Sequence, residues 1–211
     1  MDFLLDGPAD GVATLLLAHG AGAPMDAPAL TSLAEALASQ GLRVARFEFG
    51  YMAARRSGPR KPPPKAERLL PEFRAAVEAL AAPGPLIIGG KSMGGRVASL
   101  LADELHGDGR IAGLLCFGYP FHPPGKPEQR RTHHLAELKT PTLICQGTRD
   151  PFGTREEVAG YGLSDRIELL WLEDGDHDLK PRKRVTGLSH ADHVAAAAKA
   201  ARAWAGRLLS P

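Results

Sequence analysis

A doubly wound α/β fold is what this sequence predicts: a mostly parallel sheet of about six or seven strands, flanked by helices. Three observations carry that expectation. Short apolar runs alternate with segments of helical period along the 211 residues. Several of the runs are almost continuously apolar, as strands covered on both faces are. Strand–helix alternation closes into right-handed βαβ units around a parallel sheet. The composition, 44% hydrophobic and 24% charged, is ordinary for a globular chain of this length. One domain spanning residues 1–211 is therefore expected, large enough to bury a real core.

The strands are expected at 12–18, 43–49, 86–89, 111–118, 142–146 and 167–172. Between them run amphipathic stripes. Leu30, Leu33, Ala34 and Leu37 form the first, and Leu69, Leu70, Phe73, Val77 and Leu80 the second. Val97, Leu100, Leu101 and Leu105 form the third, and Val194, Ala197, Ala198, Ala201, Ala205 and Leu208 the last. Gly41 and Gly107 fall where helices would end. Ser189 and Asp192 have capping-box spacing at the start of the last helix. Pro-rich stretches at 58–64 and 120–127 lie between elements and are expected to be loops.

Bulk features exclude several classes. The segment MDFLLDGPAD has neither the basic nor the apolar part of a secretory leader, and no apolar run approaches the ~20 residues of a membrane span. Cys116 and Cys145 lie inside apolar runs and are expected to be core thiols. These features predict a cytoplasmic protein with no membrane partner. The formal charge of +2 points to no partner by itself, and nothing in the sequence sets the oligomeric state.

The most informative stretch is Leu86-Ile87-Ile88-Gly89-Gly90-Lys91-Ser92-Met93-Gly94-Gly95. It holds Gly90-x-Ser92-x-Gly94 between a strand-like run and a helix-like run, the context of a serine nucleophile elbow. With 24 Gly and 8 Ser in the chain, chance alone produces this spacing in roughly one such sequence in ten, so the context matters more than the pattern. A serine hydroxyl needs a base within reach, and the base needs an acid to orient it. Each should sit just beyond the C-terminal end of a later strand, in the order Ser, acid, His. Asp150 follows the strand ending at Gln146, and His177 follows the strand ending at Leu172. A tetrahedral oxyanion also needs backbone N–H donors. Met93, next to the nucleophile, and Ala21, in the loop Ala18-His19-Gly20-Ala21-Gly22-Ala23-Pro24, are the candidates. His19 is expected to be a buried, hydrogen-bonded support for that loop.

Five segments, LLLAHGAGAPMDAP, GGKSMGG, GYPFHPPGKP, QGTRDPFG and DGDHDLKP, together resemble a compact, dienelactone-hydrolase-like branch of the α/β-hydrolase superfamily. The resemblance covers nearly the whole chain. It implies the α/β-hydrolase fold without a separate cap domain, with Ser92 as nucleophile, Asp150 as acid and His177 as base. Dienelactone hydrolases proper carry a cysteine nucleophile where this chain has Ser92, a departure that puts dienelactone itself in doubt as the substrate.

His133 and His134 are expected in a loop, and His190 and His193 at a solvated helix start; no carboxylate or cysteine cluster completes a metal site around either pair. No cofactor motif is present, so no cofactor is expected. Half of the basic residues, 13 of 26, fall in the loops 50–68, 119–134 and 178–188, with a net charge of +10 against −8 for the rest. Loops at the same end of the sheet would set a basic rim around Ser92 and draw in anionic substrates. Few aromatics interleave those basic residues, so nucleic acid is not an expected partner. The function expected is a serine hydrolase of a small-molecule ester or thioester, working through an acyl-enzyme. A catalytically silent scaffold or binding protein on the same fold is the alternative.

Overall fold

Seven strands form one sheet in the computed structural model of the protein, which describes residues 1–59 and 62–210. In chain order the elements are β1 (Leu4–Asp6), β2 (Thr14–Ala18), α1 (Pro28–Ser39), β3 (Arg43–Phe47), α2 (Gly50–Ala53) and α3 (Leu70–Leu80). There follow β4 (Leu86–Lys91), α4 (Met93–Gly107), β5 (Gly113–Phe117), β6 (Thr142–Gly147), α5 (Arg155–Ala159), β7 (Ile167–Leu172), α6 (Lys183–Thr186) and α7 (His190–Leu209). The spatial order is β1-β3-β2-β4-β5-β6-β7. Every neighbouring pair is parallel except β1 with β3, where Leu5 faces Ala45 across an antiparallel edge.

All six expected strands are present. The edge strand β1 has no counterpart among them. Three residues are too few to show a period, and Leu5 at its centre is 55% exposed. The inner strands carry no polar alternation because helices cover both faces. Along β2, Leu15 and Leu17 pack with α1 and α7, while Leu16 and Ala18 pack with α3 and α4. Each such leucine, fully withdrawn from water, stabilises the fold by roughly 1.5–3 kcal/mol.

The ends of the helices follow local chemistry. The α7 box is formed: Ser189 Oγ accepts from the Asp192 amide, and the Asp192 carboxylate accepts from the Ser189 amide. Gly41 takes the left-handed position after α1 at φ 83°. Gly107 does not end α4 in that way. It is still helical, and Gly109 takes the left-handed turn at φ 69°, with Gly109 N donating to His106 O and Arg110 N to Leu105 O. Both cysteines are buried and unpaired, and burial pushes the Cys145 thiol up to about 12 and raises that of Cys116. Among the described residues no helix is long and apolar enough to cross a membrane.

One topological fact positions everything below. The neighbours β2 and β4 send their following helices to opposite faces, α1 to one and α4 to the other. Connections that diverge like this open a crevice at the C-terminal ends of the two strands.

Candidate active site

Ser92 occupies that crevice, between the last residue of β4 and the first of α4. Its backbone is held at φ 53°, ψ −118°, a region that costs a non-glycine residue of order 1–3 kcal/mol and persists only where the surroundings enforce it. They do so here. Ser92 N donates to Phe117 O on β5, and Ser92 O accepts from Arg96 N in the first turn of α4. The two motif glycines are sterically required. A Cβ on Gly90 would lie 2.5 Å from the Gly94 carbonyl carbon, and one on Gly94 would lie 2.6 Å from the carbonyl oxygens of both Ala18 and His19.

Asp150 and His177 come from the turns after β6 and β7, and the structure brings both to Ser92. His177 Nε2 lies 2.8 Å from Ser92 Oγ, and His177 Nδ1 lies 2.8 Å from Asp150 Oδ2. A carboxylate accepts only, so Nδ1 carries the proton and Nε2 presents its lone pair to the serine hydroxyl. Asp150 is wholly buried. Its Oδ2 also accepts from Gln146 Nε2 at 2.9 Å and its Oδ1 from Phe152 N at 2.8 Å. Gln146 in turn accepts from Tyr119 N, so the turn after β5 helps β6 fix the carboxylate. Phe152 stacks on the imidazole of His177 with ring centroids 4.1 Å apart.

The acids around His177 build its loop. Asp176 Oδ1 accepts from the amides of Asp178 and Lys180. Asp174 pairs closely with Arg182, which holds the Asp174 carboxyl at about 2, below the usual range. Asp178 pairs at 3.2 Å with Lys91, the residue before the serine; burial lowers the Lys91 ammonium pKa, and the Asp178 carboxylate opposes that shift. The loop is thus tied to the elbow itself.

On the opposite side, His19 is buried as expected. Its Nε2 accepts from Phe49 N at 3.1 Å, and its Nδ1 donates to Gly20 O at 2.7 Å. Burial lowers its pKa, so it stays a neutral brace. The Gly20–Ala21 loop lies over the serine, and a Cβ on Gly20 would be 3.7 Å from Ser92 Cβ. The Ala21 carbonyl accepts from Tyr51 Oη at 3.1 Å. Burial pushes the Tyr51 phenol up to about 12, so it remains a donor there. Met93 is the first residue of α4, where amides have no acceptor within the helix.

Two cavities meet at Ser92, and Ser92, Ala21 and Phe152 line both. The first, about 350 Å³, is lined mainly by apolar side chains, with Pro24, Leu30, Leu33, Phe117, Leu179 and Val194 beside His177. The second, about 450 Å³, runs along Pro63, Pro64, Lys65, Met93, Arg96, Pro120 and Arg131. The basic rim expected from the sequence is only partly present. Arg56 is taken up by Asp26 and Glu48, Arg182 by Asp174, and Arg130 lies over the Tyr161 ring. Lys65 and Arg131 do face the second cavity. Arg60 and Lys61 lie outside the described residues.

The remaining histidines depart from expectation in part. His193 is not solvated: it is buried at 3% exposure, with Nδ1 2.8 Å from Leu179 O, while His190 Nε2 donates to Asp178 O. Both therefore clamp the His177 loop onto α7. His134 bonds Ser99 Oγ at 2.9 Å, and burial together with Arg96 lowers it to about 4. Among the described residues no cluster of histidine, cysteine and carboxylate could hold a metal. Gln146, Phe152 and Arg96 are neighbours of the candidate site that sequence reasoning missed. A glutamine closing the apolar run TLICQ was the available signal for the first.

Residues 11–206 match the model of a family described as "Alpha/beta hydrolase domain". Solved structures share the fold. The esterase domain of a Rhodothermus marinus protein is 22% identical, with a TM-score of 0.68 over 97% of this chain and 92% of that one. An α/β serine hydrolase without lid from Xanthomonas campestris is 22% identical, with a TM-score of 0.70 over 96% and 88%. A dienelactone hydrolase from Anabaena variabilis is 21% identical, with a TM-score of 0.71 over 96% and 89%.

Proposed function

The chain belongs to the family of alpha/beta hydrolase domains, and from that premise we propose that it is a serine hydrolase of carboxylic esters or thioesters. One observation carries the proposal: the unbroken chain from Ser92 Oγ to His177 to buried Asp150, with both links at 2.8 Å. In this mechanism Ser92 Oγ attacks the carbonyl carbon while His177 Nε2 takes its proton. Asp150 holds the imidazole tautomer and stabilises the imidazolium, remaining ionised itself. The amides of Met93 and Ala21 donate to the oxyanion. His177 then protonates the leaving oxygen or sulfur, the bond to it breaks, and the acyl group stays on Ser92. A water molecule, deprotonated by His177, attacks the acyl carbon. The proton returns to Ser92 Oγ as the acid departs.

The backbone of Ser92 suits this role, since a strained, half-buried turn between strand and helix is what a nucleophile elbow requires. An anionic substrate is part of the proposal, supported by Lys65 and Arg131, which line the second cavity. For location we keep the cytoplasm, supported by the two free, buried thiols; recovery of the native protein outside the cell would refute it.

The test is a panel of acyl esters and thioesters run on wild type beside Ser92→Ala. Turnover of at least one class by wild type, lost in the variant, is expected. Equal turnover by both proteins would refute the mechanism.

A further inference from the structure

Of the two cavities meeting at Ser92, only one is lined by the group that moves the proton. His177 lines the apolar cavity, while the cationic one is lined by Met93 and the guanidinium groups. A leaving oxygen must come within hydrogen-bond reach of His177 Nε2 to be protonated. The alcohol or thiol of the substrate therefore extends into the apolar cavity, and the acyl chain lies on the other side of Ser92.

That other side is lined by the cations Lys65, Arg96 and Arg131. Arg96 Nε is buried and has no hydrogen-bond partner among the described residues. A buried donor left without a partner is a standing cost, but it is the accessible remainder of the Arg96 side chain that lines the cavity. The Arg96 side chain is 19% exposed and gives one N–H to Glu67. Arg131, half-buried, has no carboxylate within pairing distance among the described residues. Burial and the like charge of Arg96 lower its pKa. Lys65 adds a third cation, against the single carboxylate of Glu67. A guanidinium matches a carboxylate in shape as well as charge.

Resting on the serine-hydrolase mechanism above, we infer that the cavity of Arg96 and Arg131 is the acyl subsite and accepts an acyl chain ending in a carboxylate. The substrate class is then a monoester or monothioester of a dicarboxylic acid with an apolar alcohol or thiol. Hydrolysis breaks the acyl C–O or C–S bond and adds water across it, releasing the free dicarboxylate and the apolar alcohol or thiol. The apolar first cavity, about 350 Å³ in volume, is of the size that holds a small organic group.

The experiment compares three phenyl-ring esters: phenyl hemiglutarate, phenyl pentanoate, and the pentanoate of 4-hydroxybenzoate, whose carboxylate is on the alcohol side. Wild type is expected to prefer the hemiglutarate to the pentanoate by about tenfold or more in kcat/KM, the size of one charge-assisted hydrogen bond. Arg131→Gln should shrink that ratio several-fold, chiefly through KM, and Arg131→Lys should restore part of it. Calorimetric binding of phenyl hemiglutarate to Ser92→Ala protein gives a second readout that needs no turnover. Preference for the ester with the anion on its alcohol, no preference in wild type, or a ratio unchanged in Arg131→Gln would overturn the subsite while leaving the hydrolase assignment intact. Tight binding of the hemiglutarate without turnover of any ester would leave the subsite standing and remove the mechanism.

Discussion

The strand-end trio and the loop cations both surround the same crevice, yet they are held in opposite ways. Ser92, Asp150 and His177 are fixed by backbone geometry, by burial and by each other, with every link at 2.8 Å. The loop cations sit on exposed segments, and several have found local partners, as Arg56 has in Asp26 and Glu48. A charge that can reach a neighbouring carboxylate is no longer available to a substrate. The difference teaches that position along a strand determines what a residue does far more tightly than membership of a basic loop does. Arg96, on a helix and outside the basic loops, keeps a buried Nε without a hydrogen-bond partner among the described residues.

Removing a member of the trio should have the largest effects. Ser92→Ala or His177→Ala is expected to lower kcat by more than about 10⁴-fold, and the double variant should lose little more, because the two act as one unit. Steady-state kinetics on the best ester of the panel checks this; additive losses would separate the pair. Asp150→Asn should cost about 10⁴-fold, through the wrong histidine tautomer. A loss below tenfold would mean that Phe152 holds the ring without it.

The next largest effect is structural. Gly94→Ala places a methyl 2.6 Å from two carbonyl oxygens, whereas Gly84 has open space around it. Gly94→Ala should therefore lower the melting temperature by many degrees and abolish activity, while Gly84→Ala leaves both nearly unchanged. Similar melting curves for the two variants would show that the elbow is not the tight packing described.

Smaller again is an acid effect beneath the second cavity. His134 is held at about 4 in the fold against an ordinary 6.5. Between those values the unfolded chain binds a proton that the folded chain does not, so this contribution to stability is complete above about 6.5 and declines as pH falls towards 4. Urea unfolding at pH 7.5 and 5 should show wild type losing more stability than His134→Gln; equal losses would contradict the assignment. The smallest effect belongs to the rim. Arg56→Ala should change kcat/KM for any ester by less than about twofold, because its charge is already spent on surface partners. A large, salt-sensitive loss on acidic esters would return Arg56 to the substrate path.

Much of this was legible in the sequence, for one physical reason. In a parallel sheet the C-terminal ends of strands converge, so order along the chain becomes position in space. That logic located Ser92, Asp150 and His177 and the loop of Ala21. What it could not locate were contacts made by packing across distant elements. Phe152 stacks on His177 from a separate loop, and Gln146 reaches Asp150 while Tyr119, in the turn after β5, holds its other end. His193 looked like a solvated helix start, yet the His177 loop folds over it and buries it. The edge strand β1 was too short to have a period, and although α4 ends at Gly107, the left-handed turn after it falls on Gly109.

The central claim is that Ser92 is an activated nucleophile. A fluorophosphonate probe followed by peptide mapping tests it most directly. One phosphonyl group per chain on Ser92 of wild type, with no adduct on Ser92→Ala or after denaturation of wild type, is the expected result. An unlabelled native protein, or an adduct that persists in Ser92→Ala, would contradict it.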